Sequence, residues 1–409
     1  MNLFIKHIKG LVQVRDQAPR WVAGAAMAEL PVVEDAFLLI QDGLISDYGP
    51  MEQCPNSDIP TIDATNRFVL PSFVDSHTHL VFAASREEEF VYKIRGMSYE
   101  EIAARGGGIL NSARKLQAMS EEELFDRTMV RAREIIRYGT AAVEIKSGYG
   151  LTLEDELKML RVAKRVGEET PLTVKTTFLG AHAVPREHTK DSYIRLIIDE
   201  MIPAVAEQNL AEYIDAFCEK GFFTPEETVT IMEAGKKFGM KPRIHANQLS
   251  ISGGVQAGVK TGAISVDHLE AMGHEEIQAL QSTDVMPTLL PGAAFYLGTS
   301  FPPARDMLTA GLPLALATDY NPGSAPSGNM SFMLSLACIK MKMTPEEAIN
   351  AATINTAYAM EVGGQYGSIT RGKVGSVFIT KEIPSVGYIP YAFAGNCLDT
   401  VVLRGEVQK

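Results

Sequence analysis

His77 and His79 stand one residue apart at the end of an apolar run, Leu70-Pro71-Ser72-Phe73-Val74-Asp75. On a β-strand, alternate side chains share a face, so the two imidazoles point the same way and can grip one metal ion. That arrangement is the start of a hydrolytic metal centre, and it sets a search for the remaining ligands. Histidines also close later apolar runs, at His182, His245 and His268, and Asp319 closes another. Taken singly, each has an ordinary role. A His-x-His pair is often a capping or surface pair, a lone His182 or His268 is more often a satisfied core histidine, and Asp319 before Asn-Pro-Gly suits a turn.

The elements that would position these residues can be read from the chain. Apolar runs of strand length occur at Val69–Asp75, Thr140–Ile145, Leu172–Leu179, Tyr213–Cys218, Met240–His245, Ala263–His268, Asp284–Leu289 and Leu312–Thr318. Helical segments separate most of them. Ser120 with Glu123 forms a capping-box pattern before Leu124–Tyr138, and Gly139 ends that helix. Thr152 opens a helix over Leu153–Glu169, while Thr224-Pro225 and Thr344-Pro345 start two more with proline in the first turn. Alternating strands and helices in this number predict an α/β fold, a TIM-type (β/α)8 barrel. A doubly wound sheet is the alternative, but no Gly-rich dinucleotide fingerprint follows any of the strands. Gly106-Gly107-Gly108 lacks the Gly-Lys-Ser/Thr of a phosphate loop and is expected to be a mobile loop.

The two ends of the chain differ from the middle. Leu3–Val14 and Ala36–Tyr48 read as strands, with Asp42-Gly43 a hairpin turn inside the second, and Val377–Thr380 and Thr400–Leu403 are matching β-type runs. We therefore expect a small β-sandwich domain built from residues 1–66 and 366–409, with the barrel spanning 67–365.

In a barrel of this kind the active site lies at the C-terminal ends of the strands. His77, His79, His182, His245 and His268 are five of the eight histidines, and all fall at that rim with Asp319, whereas His7, His188 and His274 do not. Glu144, taken as the end of the second strand, falls there too. Scattered structural histidines would not select strand ends on one face. The expected ligand set is His77, His79, His245 and Asp319 around one divalent ion, Zn2+ first and iron second. Such an ion lowers the pKa of a water from about 15.7 toward about 7 and polarises a carbonyl.

Composition bounds the partners. The chain has 409 residues and a net charge of −12 spread along its length, which argues against nucleic-acid and anionic-membrane surfaces. Cys54, Cys218, Cys338 and Cys397 are far apart, so neither a disulfide framework nor a thiolate zinc site is indicated. The first residues lack a secretory leader pattern, and no apolar run approaches the roughly 20 residues that span a bilayer. A soluble cytoplasmic enzyme is expected.

The motifs His77–Glu87 (HTHLVFAASRE), Lys146–Gly150 (KSGYG), Gly180-Ala181-His182-Ala183, Leu290-Pro291-Gly292 and Ala317–Ser324 (ATDYNPGS) go further. With them the chain resembles the amidohydrolase superfamily over nearly its whole length. Within it, the chain looks like the branch that opens the imidazolone ring of 4-imidazolone-5-propanoate to N-formimidoyl-L-glutamate in histidine degradation. The resemblance implies a mononuclear site on the four ligands above. Arg86, seven residues past His79, would bind the propionate tail of a small anionic substrate. Tyr149 would donate its hydroxyl to the tail or ring, and His182 would bond the ring or carbonyl. Asn321, Gly323 and Ser324 would offer hydrogen bonds to the product. The chemistry then expected is proton acceptance by His268 or Asp319 and oxyanion support from His182.

Two positions refine that expectation. Many superfamily members carry Glu three residues after the strand-five histidine; here Gln248 stands there and cannot shuttle protons, so it is expected to position substrate. Dinuclear relatives use a carboxylated lysine at the end of strand four, whereas Lys220 lies beyond Cys218 in an expected surface loop. The alternative is another cyclic amidohydrolase or a nucleobase-type deaminase of the same superfamily. A homodimer is expected by analogy.

Overall fold

The computed structural model describes residues 1–97, 101, 107–393 and 395–408. Gly106 of the glycine run lies outside the described residues.

Eight parallel strands follow one another in chain order around a barrel. They are β1 (Phe73–Thr78), β2 (Thr140–Lys146), β3 (Thr173–Ala181), β4 (Tyr213–Cys218), β5 (Lys241–Ala246), β6 (Ser265–His268), β7 (Met286–Leu289) and β8 (Ala315–Leu316). The last meets the first just beyond β8: Asp319 N donates to His77 O at 2.9 Å and His79 N donates to Tyr320 O at 3.0 Å. Asp75 fastens the same seam from below, accepting from Thr318 N at 3.0 Å and Thr318 Oγ1 at 2.6 Å. Closure therefore sets the ends of β1 and β8 side by side.

Helices wrap the outside, and their starts follow from local chemistry. Thr224 and Thr344 form reciprocal capping boxes with Glu227 and Glu347. Thr152 accepts from Asp155 N to open Leu153–Glu169. At Ser120 half of the expected box is made: its hydroxyl accepts from Glu123 N, but the Glu123 carboxylate turns to Arg127 at 2.8 Å. That helix, Glu121–Arg137, buries Leu124, Phe125, Met129, Ala132 and Ile136 at helical spacing.

A second, mixed sheet is assembled from both ends of the chain: Leu3–Val12, Val32–Gln41, Leu44–Pro50, Thr61–Asp63 and Arg67–Pro71 with Val377–Glu382, Leu398–Leu403 and Glu406–Val407. Asp42 and Gly43 have φ of +51° and +77°, the two left-handed residues that a tight hairpin turn requires. The sheet curls, with Ile45 N donating to Lys373 O at 2.8 Å and Gly375 N to Gly43 O at 2.8 Å. Ile5, Ile8, Leu38, Ile40, Val69, Ile379 and Val402 fill its interior.

One expected strand is corrected. Val69–Asp75 is not a single strand. Arg67–Pro71 pairs with Val377–Glu382 in the terminal sheet, and Phe73–Thr78 begins the barrel. Both halves are buried, so apolarity continues unbroken through Ser72 and carries no mark of the change of sheet. Gly139 sits at the junction with φ +86°, packed against Leu398, Phe378 and Phe73.

Candidate active site

The inward positions of β1 and β5 and the turn after β8 bring His77, His79, His245 and Asp319 together. His77 Nε2 and His79 Nε2 each lie 3.5 Å from Asp319 Oδ1, and His245 Nε2 lies 3.3 Å from His79 Nε2. All four side chains are buried. His77 Nδ1 is 2.6 Å from Asp267 Oδ2 and His245 Nδ1 is 2.9 Å from Asp215 Oδ2. A carboxylate accepts, so each Nδ1 carries the proton and each Nε2 presents a lone pair to the cluster. Burial, then Lys146 and the neighbouring imidazoles, holds His77 well below its ordinary pKa; burial, then His182 and His245, does the same for His79. Both are thus in the neutral form that ligates.

His77 Nε2 and Asp319 Oδ1 are buried without a hydrogen-bond partner. Converging lone pairs with no proton between them are unfavourable unless a cation sits among them. Two overlapping sets of buried donors, His77 with His79 and His245, and His77 with His268 and Asp319, lie close enough to hold a divalent ion.

His268 enters the same cluster by an unusual route. On β6 the inward residue is Asp267, which bonds His77, so the next residue should face outward. Instead the backbone turns, with φ +88° at His268 and +68° at Leu269, and the imidazole lies 5.6 Å from the His77 ring and 5.3 Å from the His245 ring. Left-handed backbone at two non-glycine residues is strain held by the surrounding structure. His268 Nδ1 faces Glu270 Oε1 at 3.4 Å. Burial opposes a charge on His268, but Glu270, Asp319 and Asp267 outweigh it and raise its pKa. Burial pushes the Asp319 carboxyl up to about 6, with His268 pulling it back.

The expected substrate residues line one side of this centre. Arg86 caps the helix Glu87–Ile94; its Nε donates to Ser112 Oγ at 2.9 Å, while Nη2 is buried without a partner. Its guanidinium lies 5.9 Å from the Tyr149 ring centroid. Burial raises the Tyr149 pKa, so its hydroxyl stays a donor. The Tyr149 ring is 5.7 Å from that of His79 and 5.3 Å from that of His182.

His182 Nδ1 lies 2.8 Å from Gly148 O. A carbonyl accepts, so Nδ1 is the donor, and burial followed by the nearby His245 pulls the pKa down to about 3. A neutral imidazole with Nδ1–H offers an acceptor at Nε2. That corrects the expected oxyanion role, which needs a donor.

Asn321 is occupied in bracing its own turn. Its Oδ1 accepts from Gly323 N at 2.7 Å and Ser324 N at 2.8 Å, and its Nδ2 donates to Asp319 O at 2.7 Å and Ser324 Oγ at 2.8 Å. Ser324 Oγ reaches Asp319 Oδ2 at 3.3 Å. Gly323 packs directly against the Arg86 guanidinium. Gln248 is half-buried on the loop after β5, with no side-chain hydrogen bond among the described residues.

Other placements differ from the reading of the chain. β2 runs on to Lys146, so Glu144 sits inside the barrel and not at its rim; it bonds Lys146 at 2.8 Å. Asp215, Asp267 and Glu270 were missed. Their signal was present: each is an acid in or beside a buried apolar strand, where an unpartnered charge is costly. Lys220 is exposed, and Phe217 takes the inward place at the end of β4, 5.8 Å from the His245 ring.

The chain is similar to known proteins over its whole length. The amidohydrolase family pattern matches residues 68–407. The imidazolonepropionase of Flavobacterium johnsoniae is 55% identical over 410 residues, 100% of both chains. That of Geobacillus kaustophilus is 40% identical over 413 residues, covering 99% of this chain and 97% of its own. Among solved structures, a Klebsiella pneumoniae 5-methylcytosine deaminase liganded with phosphonocytosine superposes with a TM-score of 0.74 at 16% identity, covering 99% and 97% of the two chains. An adenosine deaminase from Xanthomonas campestris with bound zinc gives 0.72 at 16%, covering 99% and 92%. At such identities the likeness to the two deaminases is one of fold alone.

Proposed function

The chain belongs to the amidohydrolase family and, within it, to the imidazolonepropionases, and from that premise we propose which of its residues perform each part of the reaction. The reaction is hydrolysis of a carbon–nitrogen bond in a cyclic amide: 4-imidazolone-5-propanoate becomes N-formimidoyl-L-glutamate. The observation that supports the assignment of roles is the meeting of the buried His77/His79/His245 group, with Asp319 Oδ1 3.5 Å from two of its imidazoles, and an Arg86 whose Nη2 is buried and unpartnered.

His77, His79, His245 and Asp319 hold one divalent ion, Zn2+ first and iron second. That ion supplies Lewis acidity, drawing the pKa of a water toward about 7. Arg86 binds the propionate tail with its free donor, and Tyr149 donates to the same tail or to the ring. Gly323, with Asn321 and Ser324, walls the tail pocket beside Arg86. His182 Nε2 accepts a ring N–H, and Gln248 faces the N–C=O edge, where its amide can both donate and accept.

The proton bookkeeping is closed. Attack by water on the ring carbonyl carbon releases one proton, and the departing ring nitrogen takes one up. His268, with Nδ1 against Glu270, has Nε2 available to receive the first and deliver the second; Asp319 is the alternative acceptor. Phe217, standing where a bridging lysine would project, supports a single ion per subunit. We also propose a cytoplasmic homodimer. The four free, dispersed cysteines suit a reducing compartment.

Purified protein should consume 4-imidazolone-5-propanoate in an absorbance assay and yield formiminoglutamate, and lose that activity on chelation and regain it with Zn2+ or Fe2+. Ammonia release from a nucleobase without ring opening would instead favour the deaminase alternative. Elemental analysis decides the ion and its stoichiometry, and light scattering decides the oligomeric state.

A further inference from the structure

Behind two of the ligand imidazoles stand two buried cations that the reaction does not touch. Lys146 Nζ lies 3.0 Å from Asp215 Oδ2, the oxygen that takes the His245 Nδ1–H, and 2.8 Å from Glu144 Oε1. Arg243 Nη2 lies 3.5 Å from Asp267 Oδ2, the oxygen that takes the His77 Nδ1–H. Both cations and all three carboxylates are 0% exposed. Arg243 is pinned further, donating to Ala359 O at 2.6 Å and Ser76 O at 2.7 Å. The barrel interior thus carries two chains of the same kind, Lys146–Asp215–His245 across β2, β4 and β5, and Arg243–Asp267–His77 across β5, β6 and β1. His79 has no such backing: its Nδ1 is buried without a partner.

We propose that Lys146 and Arg243 are positioning residues that fix the carboxylates orienting His245 and His77, and thereby set the affinity of the metal centre. Asp215 receives four donors. Ala216 N at 2.7 Å and His245 N at 3.1 Å share Oδ1, while Lys146 and His245 Nδ1 share Oδ2. Lys146 is the one permanent cation among them, and it holds Oδ2 in the line of the imidazole N–H. Without it the carboxylate plane is set by main-chain donors to the other oxygen, and the ring it orients is released. Arg243 does the same for Asp267, whose Oδ1 has no partner, so that its orientation rests on Oδ2. A buried cation also shares the negative charge of the carboxylate, which tunes how strongly the imidazole lone pair is pushed toward an ion.

This rests on the reading of His77, His79, His245 and Asp319 as ligands, and the test separates the two. Zn2+ dissociation constants are measured by chelator competition on the folded protein, together with the ligand-field spectrum of the Co2+-loaded form. The charge-balanced pair Lys146→Met with Glu144→Gln should bind Zn2+ about 10- to 100-fold more weakly and alter the Co2+ spectrum, with its far-ultraviolet circular dichroism retained. Arg243→Gln, which removes the cation of the other chain and leaves Asp267 in place, should do the same there and covers the case in which the double variant does not fold. Wild-type Zn2+ affinity and an unchanged Co2+ spectrum in either folded variant would overturn the proposal. His77→Ala is the control for the ligand reading. If it keeps a stoichiometric ion at wild-type affinity, that reading fails; if it loses the ion while the cation variants hold theirs, the positioning role alone fails.

Discussion

Gly323 lies against Arg86 so closely that a Cβ at position 323 would collide with the guanidinium Nη1. The loop carrying the β8 acid therefore presses on the cation assigned to the substrate tail. Gly323→Ala should push the guanidinium out of line and raise KM for 4-imidazolone-5-propanoate by about 10- to 100-fold, the worth of a charged hydrogen bond, with a smaller change in kcat. Steady-state kinetics on the variant check this. A fall in kcat at unchanged KM would remove Arg86 from the tail pocket.

His268 and Glu270 make the second prediction. If His268 carries the proton and is not a ligand, His268→Gln should lower kcat by about 100- to 10,000-fold while elemental analysis finds the metal content unchanged. Loss of the ion in that variant would make His268 a ligand, a role open to it because it also lies within ligand distance of His77 and Asp319.

Lys373 predicts a pH dependence of stability away from the site. Its Nζ donates to Tyr366 O at 2.8 Å and Ser368 Oγ at 2.9 Å, and burial lowers its pKa from 10.5 to about 8. The unfolded chain then binds this proton more tightly than the folded one. The contribution of Lys373 to stability is least favourable below pH 8 and improves as pH rises from 8 toward 10.5. Thermal melts of wild type minus Lys373→Met across that window should show a rising difference, and parallel curves would refute it.

Gly139, at the entry to β2, packs where the barrel meets the terminal sheet. At φ +86° an alanine is strained, and its Cβ would stand 2.8 Å from Leu398 Cδ2. Gly139→Ala should cost about 1–3 kcal/mol in urea denaturation and leave kcat intact, since the junction lies at the far end of β2 from the ligands. An unchanged midpoint would show that the junction relaxes freely.

Much of this was written in local pattern. The spacing of His77 and His79, the apolar runs ending at His245 and His268, and the caps at Thr152, Thr224 and Thr344 depend on neighbours a few residues away. They named the barrel, its rim and the residues proposed as ligands. The change of sheet at Ser72 left no trace, because both flanking strands are buried.

Strand alternation and capping residues, which act through short-range sterics and hydrogen bonds, marked in the sequence the strand ends that carry His77, His79, His245 and Asp319, but neither the turn that brings in His268 nor the place of Glu144 inside the barrel. Tertiary structure alone decided how they are used. Closure of β1 onto β8 placed Asp319 against both histidines. A strained turn brought Asp267 and His268, adjacent in the chain, into one cluster. The Gly148 carbonyl made His182 an acceptor, and Lys146 and Arg243 found their carboxylates across other strands. Each of these is a long-range electrostatic or packing relationship, fixed only when distant segments are buried together and every charge must find its partner.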